Sequence, residues 1–218
     1  MAPQHRPYVF AAEEPFDTVR EPVQGLMIQV CGEPIFHRRE YSIEIDVDSS
    51  YDYDSHIRAI AWELREQGYV KAKRAYADRN GEGPNHTELF AAIEGLRAGH
   101  MYSEAPIHIR TDNKLACGII SGLWIARKRH IERLSERLQP ILAAHQFIAL
   151  TWVRTRDVRK VDSEAREFRD RLRDSRAPWL DGCKFEGKRA ASVVWRLHHE
   201  TRRLHRRVRS RFTPRERY

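Results

Sequence analysis

Tyr41-Ser42-Ile43-Glu44-Ile45-Asp46-Val47-Asp48 alternates without a break. Tyr41, Ile43, Ile45 and Val47 take one side, and Glu44, Asp46 and Asp48 take the other. A period of two predicts a strand with one side buried. Two further β-rich runs follow, Ile57 to Leu64 and Tyr69 to Tyr76, separated by Arg65-Glu66-Gln67-Gly68, and the three read as an antiparallel meander. Beyond the turn-rich Asn80-Gly81-Glu82-Gly83-Pro84-Asn85 the period changes. Leu89, Ile93 and Leu96 recur at helical spacing, and Gly99 stands where that helix would stop. Ile107 and Ile109 mark a short strand ending in Thr111-Asp112-Asn113. A helix from about Lys114 carries Leu115, Ile119 and Ile120; a longer one carries Ile131, Leu134, Leu138 and Ile141, with Pro140 expected to bend or interrupt it. Phe147 to Val153 reads as a strand, and Val161, Ala165, Phe168 and Leu172 as the stripe of a last helix.

The resulting order, β-β-β-α-β-α-α-β-α, predicts an α/β fold with a five-stranded mixed sheet. Three antiparallel strands come first, then parallel ones, with helices packed on the sheet. This unit is expected to span residues 40–176. Residues 1–39 read as an N-terminal arm: 1–24, with four prolines, as poorly structured, and 25–37 as a short hairpin of Gly25 to Cys31 with Ile35 to His37. Ala177-Pro178-Trp179-Leu180-Asp181-Gly182 opens an expected linker, 177–187. A basic C-terminal segment, 188–218, is expected to be helical from Lys188 to about Phe212, with Val193, Leu197, Leu204 and Val208 on one side and Pro214 closing it. No internal repeat appears.

The charge is unevenly placed. The net charge is +8, yet residues 184–218 hold twelve Lys/Arg against three Asp/Glu, which leaves 27 basic and 28 acidic residues for the rest. A nearly neutral body with a basic tail points to a polyanionic partner, because Lys/Arg bind phosphates by displacing counterions. Cys31, Cys117 and Cys183 are odd in number and far apart, which excludes a disulfide framework and a cysteine zinc site and fits an intracellular setting. Met1 to Arg20 has no apolar core of a secretory signal, and no stretch approaches the roughly 18 apolar residues of a membrane span, so no membrane is expected among the partners. His86, His108, His130 and His145 have no metal-ligand spacing and read as surface or structural residues; Trp62, Trp124 and Trp152 read as core or half-buried packing.

Four carboxylates stand where the elements could bring them together. Asp48 (or Asp46) lies at the end of the first strand, Glu88 in the first turn of the first helix, Asp112 at the end of the fourth strand, and Asp162 near the start of the last helix. Converging Asp and Glu oxygens suit hard divalent cations such as Mg²⁺. Two such ions about 4 Å apart support phosphodiester hydrolysis.

Asn85-His86-Thr87-Glu88-Leu89-Phe90-Ala91-Ala92-Ile93-Glu94-Gly95-Leu96 resembles the ribonuclease H signature Asn-x-x-Glu-Leu-x-Ala-Ala/Ile. Ile107 to Asn113 resembles that family's strand ending in Thr-Asp-Ser/Asn. Trp152-Val153, followed by Val161-Asp162-Ser163-Glu164-Ala165, is similar to its closing segment. The resemblance covers about residues 40–175. It implies a ribonuclease H-like fold and hydrolysis of the RNA strand of an RNA–DNA hybrid with two Mg²⁺ (or Mn²⁺) ions. By motif, the ligands would be Asp48, Glu88, Asp112 and Asp162. Asp48-Ser49-Ser50 matches the family's first aspartate better than Asp46 does. Asn85 would touch the nucleic-acid backbone, and Asn113, Arg127, Lys128, Arg202, Arg203, Arg206 and Arg207 are further candidates for substrate contact. The family's loop histidine before the last aspartate is absent from Arg154 to Lys160. The alternatives are an inactive ribonuclease H-like module that binds nucleic acid or assembles through its C-terminal helix with a protein partner or a second copy, and a DNA-directed nuclease of the same superfold.

Overall fold

Ile43, Ile45 and Val47 have no exposed surface, as a strand with one side in the core requires. In the computed structural model of the chain, residues 8–10, 24, 27–31, 43–144, 147–187, 191–193, 196–197 and 199 are described. Their strands are β1 (Tyr8–Phe10), β2 (Met27–Cys31), β3 (Ile43–Asp52), β4 (Ile57–Glu66), β5 (Tyr69–Asp78), β6 (Ile107–Thr111), β7 (Ile148–Trp152) and β8 (Trp179–Phe185). The α-helices are α1 (Pro84–Tyr102), α2 (Lys114–Ile120), α3 (Arg129–Ala144) and α4 (Arg159–Asp174).

One mixed sheet runs in the order β1-β2-β7-β6-β3-β4-β5-β8. β3, β4 and β5 form the expected antiparallel meander, and β6 and β7 continue from β3 in parallel. The five expected strands are therefore contiguous at the centre, but the sheet is wider than expected. At one margin β2 pairs antiparallel with β7 and β1 with β2. Met27–Cys31 is thus a strand whose partners are β7 and Tyr8–Phe10; residues 32–42, which would have closed the expected hairpin, lie outside the described residues. At the other margin, the expected linker is strand β8, paired with β5 from Asp78↔Trp179 to Ala72↔Phe185.

The main core lies between the sheet and α1, α2 and α3. It centres on Ile45, Val47, Trp62, Leu64, Leu89, Ile93, Leu96 and Ile109. α4 covers the other side over Ala61, Ala75, Val158, Val161 and Ala165, whose small alanines let the helix lie near the strands. α1 runs past Gly99 to Tyr102. A Cβ at Gly95 would come within 2.4 Å of Val47, and one at Gly99 within 2.5 Å of Ile45, so these glycines let α1 sit close on β3 rather than ending it. α3 is continuous through Pro140, which is exposed; the carbonyl it leaves without a partner, on exposed Glu136, has water at hand. Residues 191–193, 196, 197 and 199 are helical, and Val193 and Leu197 are buried in the main core, as the apolar stripe of the basic segment predicts. Leu204, Val208, Arg202, Arg203, Arg206 and Arg207 lie outside the described residues.

Candidate metal centre

β3 and β6 lie side by side and parallel, with Asp46 opposite Arg110. Two residues further along each strand come Asp48 and Asp112, so parallel pairing brings these carboxylates to the same end of the sheet. The C-terminal ends of parallel strands are where open α/β sheets commonly build their sites. α1 adds the third group. Because the helix begins at Pro84, Glu88 is its fifth residue rather than part of its first turn. One oxygen from each of Asp48, Glu88 and Asp112 lies within 4.8 Å of the others.

Asp162, the fourth residue of α4, approaches from the other side of the sheet. It does not join that close triad, and its Oδ1 accepts a hydrogen bond of 2.7 Å from Arg166 Nε. Its negative charge nonetheless bears on both Asp48 and Glu88.

Ser49 organises the triad: its backbone N–H donates to Asp48 Oδ1 at 2.6 Å, and its side chain hydrogen-bonds Glu88. The other oxygens, Asp48 Oδ2 and Glu88 Oε2, are buried without a hydrogen-bond partner. Such orphans are costly. The contrast with the remaining buried acids is sharp. Asp46 faces Arg65 at 2.7 Å and Arg110 at 3.1 Å, Asp78 faces Arg58 at 2.8 Å, and Asp181 faces Arg74 at 2.6 Å. Glu63 pairs with Arg65 and Lys160, and Glu94 with Arg74, Arg97 and Arg137. Among the described residues, Asp48, Glu88 and Asp112 have no cationic side chain as a partner. Three carboxylates meet here, and the charge of Asp162, itself paired with Arg166, bears on them from outside the triad.

This arrangement also separates Asp46 from Asp48. The two share a face of β3 and burial raises both carboxyls, but two guanidiniums pair with Asp46, whereas Asp48 accepts the Ser49 N–H and has no ion-pair partner among the described residues.

Burial, and then the charges of Asp112 and Asp162, push the Asp48 carboxyl up to about 8; burial and the same acidic neighbours hold Glu88 well above its ordinary value. A carboxyl raised in the folded state loses stability as pH rises from its unfolded value towards its folded one. Asp48→Asn is therefore expected to stabilise the cation-free protein by about 2 kcal/mol at pH 9. The gain should be small at pH 4, grow up to about pH 8 and then level off. Thermal melts of both proteins in a chelator across that range check this; a gain independent of pH would refute it.

The other candidates are placed as follows. Asn85 is exposed in the first turn of α1. Asn113 caps α2, its Oδ1 accepting from Ala116 N at 2.7 Å, so only its amide N–H groups remain for a ligand. Arg127 and Lys128 are exposed in the irregular segment before α3. The loop before Asp162 is a short 3₁₀ turn, Thr155–Asp157, tied down where Arg110 Nη2 donates to the Asp157 carbonyl at 3.1 Å. His86 and His108 are pushed down to about 4, chiefly by burial, and so are neutral structural residues as expected. Trp62 is wholly buried and Trp124 and Trp152 partly so; Trp152 Nε1 donates to the Asp112 carbonyl at 2.8 Å and steadies the end of β6. Sequence reasoning missed Arg166 and Ser49, although an arginine four residues after a helical aspartate is a legible ion-pair signal.

No protein-family model matches the sequence, and no curated protein does. Solved structures do match. The N-terminal ribonuclease H domain of a Mycobacterium tuberculosis protein, fused to maltose-binding protein, aligns with a TM-score of 0.56 at 18% identity over 63% of this chain and 100% of that one. Ribonuclease H1 of Halobacterium salinarum aligns with a TM-score of 0.53 at 22% identity, over 61% of this chain and 98% of that one. The LC11 ribonuclease H1, in complex with an RNA/DNA hybrid, aligns with a TM-score of 0.54 at 14% identity, over 60% of this chain and 98% of that one. These likenesses establish a ribonuclease H-like fold, which this chain extends beyond the shared unit.

Proposed function

We propose that this chain is a metal-dependent endonuclease that hydrolyses the RNA strand of RNA–DNA hybrids. One observation carries the reading. Asp48, Glu88 and Asp112 converge from three elements, with Asp48 Oδ2 and Glu88 Oε2 buried without a hydrogen bond or an ion-pair partner, whereas the other buried acids among the described residues face Arg or Lys. The donors are all carboxylate oxygens, which suits Mg²⁺ or Mn²⁺ better than softer ions. A pair of such ions, held by Asp48, Glu88, Asp112 and Asp162, would supply an activated water and charge stabilisation at the leaving oxygen.

The chain's own residues supply the frame. Ser49 fixes Asp48 and Glu88 relative to each other, and the Trp152 indole holds the backbone at Asp112. Exposed Asn85, Arg127 and Lys128 are assigned to the nucleic-acid backbone, as is the remaining amide of Asn113. Arg202, Arg203, Arg206 and Arg207 are assigned to phosphate contact too, which would give binding a steep salt dependence. The hybrid bound to the LC11 neighbour supports the choice of duplex. Among the described residues, no helix is long and apolar enough to cross a membrane.

The test is cleavage of a labelled RNA–DNA hybrid beside single-stranded RNA and double-stranded DNA, each with Mg²⁺ or Mn²⁺. Cation-dependent loss of the hybrid's RNA strand alone is expected. Cleavage of double-stranded DNA would move the protein to a DNA-directed class, and salt-sensitive binding without cleavage would make it a binding module.

A further inference from the structure

Asp162, whose charge bears on the triad from outside it, already has a cation of its own. Arg166 Nε donates to Asp162 Oδ1 at 2.7 Å, one helical turn along α4. The Asp162 side chain is 13% exposed while that of Arg166 is 59% exposed. The acid is therefore held in the site, and the guanidinium reaches it from solvent. The charge of Arg166 extends to Asp48 as well, where it favours the ionised carboxylate. The same helix carries a second pair of identical spacing, Arg171 with Glu167, in which both partners are exposed, 60% and 54%. That pair is an ordinary surface contact worth little; the Arg166 pair ends on a carboxylate whose charge reaches Asp48 and Glu88.

We propose that Arg166 is a built-in competitor for the divalent cation at Asp162, a positioning residue that keeps the fourth carboxylate paired until a cation displaces it. The inference rests on the metal-dependent reading above. Without a bound cation, the charge of Asp162 bears on Asp48 and Glu88, and Arg166 offsets it. When a cation enters, the Asp162 oxygen can serve the cation or the guanidinium, and like charges at this separation repel. The long, exposed arginine is free to swing into water at small cost, so the pair works as a reversible latch rather than a permanent block. Arg166 thereby sets how much cation the site needs.

Titration calorimetry with Mn²⁺ at pH 8, on the full chain without nucleic acid, tests this independently of cleavage. Arg166→Gln is expected to tighten Mn²⁺ binding by about three- to fivefold, the range of a partly exposed ion pair. Arg171→Gln, which removes an equal charge from the same helix, should leave the affinity within error of the wild type. In an Asp162→Asn background, Arg166→Gln should have no effect, which a general change of helix charge or stability would not produce. Equal affinities for wild type and Arg166→Gln, or an equal gain from Arg171→Gln, would overturn the latch while leaving the metal reading in place. A wild-type protein that binds no Mn²⁺ would overturn both.

Discussion

If the chain is the metal-dependent nuclease proposed above, Asp112→Asn is expected to lower cation-dependent cleavage of the RNA strand at least about a hundredfold, because losing a ligand would exceed the 10- to 100-fold typical of residues that merely support ligands. The substitution keeps the shape of the side chain. It also leaves the main-chain carbonyl that accepts from Trp152 Nε1. The folded structure should thus persist, with a near-native circular dichroism spectrum and melting temperature. Binding of the hybrid should be retained or slightly tightened, since a negative charge facing phosphates is gone. Asp46→Asn provides the contrast. Asp46 pairs with Arg65 and Arg110, and its loss leaves those guanidiniums short of a partner, so its replacement should cost stability while the folded fraction still cleaves. If Asp46→Asn abolished cleavage and Asp112→Asn did not, the site assignment would be wrong at both positions.

These two aspartates also mark how far a sequence can be read. The alternation of residues 43–48 predicts the strand because one side faces α1, but Asp46 and Asp48 share the other side, and periodicity treats them alike. What separates them is tertiary: Arg65 and Arg110, distant in sequence, close on one and not the other. Glu88, Asp112 and Asp162 read as candidates because each sits within a recognisable motif; the structure brings Glu88 and Asp112 to Asp48 and leaves Asp162 outside that triad. The pairing of Asp162 with Arg166 was equally local but carries no meaning until the cluster around it is known.

The unread parts of the fold have the same origin. Trp179–Phe185 contains Asp181 and Gly182, follows Pro178 and does not alternate, so it reads as a linker. In the structure, Asp181 lies against Arg74, and a Cβ at Gly182 would come within 2.4 Å of the Phe168 ring, so the residues that look wrong for a strand are those its neighbours demand. β1, at three residues, is too short for any period to register. Gly99 reads as a helix stop because the sequence does not reveal that Ile45 and Ile107 press against it. Local pattern specifies the central five strands; contacts between distant residues specify the margins.

Asp181→Ala should accordingly have the largest effect on stability. Arg74 donates to both Asp181 oxygens, at 2.9 and 2.6 Å, and the two side chains are 2% and 0% exposed. Cys183 Sγ donates to the same carboxylate at 3.0 Å. Removing one member of such a pair leaves the other charged and buried, which costs about 3–5 kcal/mol. Glu94, 3.8 Å from Arg74, limits the loss but is shared with Arg97 and Arg137. For a chain of this size the expected fall in Tm is about 10 °C. In urea the midpoint should fall with little change in slope, as for a stability change without a new intermediate. Replacing both partners by apolar residues, Arg74→Met with Asp181→Leu, should cost less than Asp181→Ala alone, because no orphaned charge remains. A loss below about 1 kcal/mol in the single variant would put this pair in the range of a surface contact, and β8 would then be an attachment to the sheet rather than part of its core. Cleavage per folded molecule, measured well below the lowered Tm, should stay near wild type, since Asp181 belongs to the sheet margin and not to the carboxylate triad.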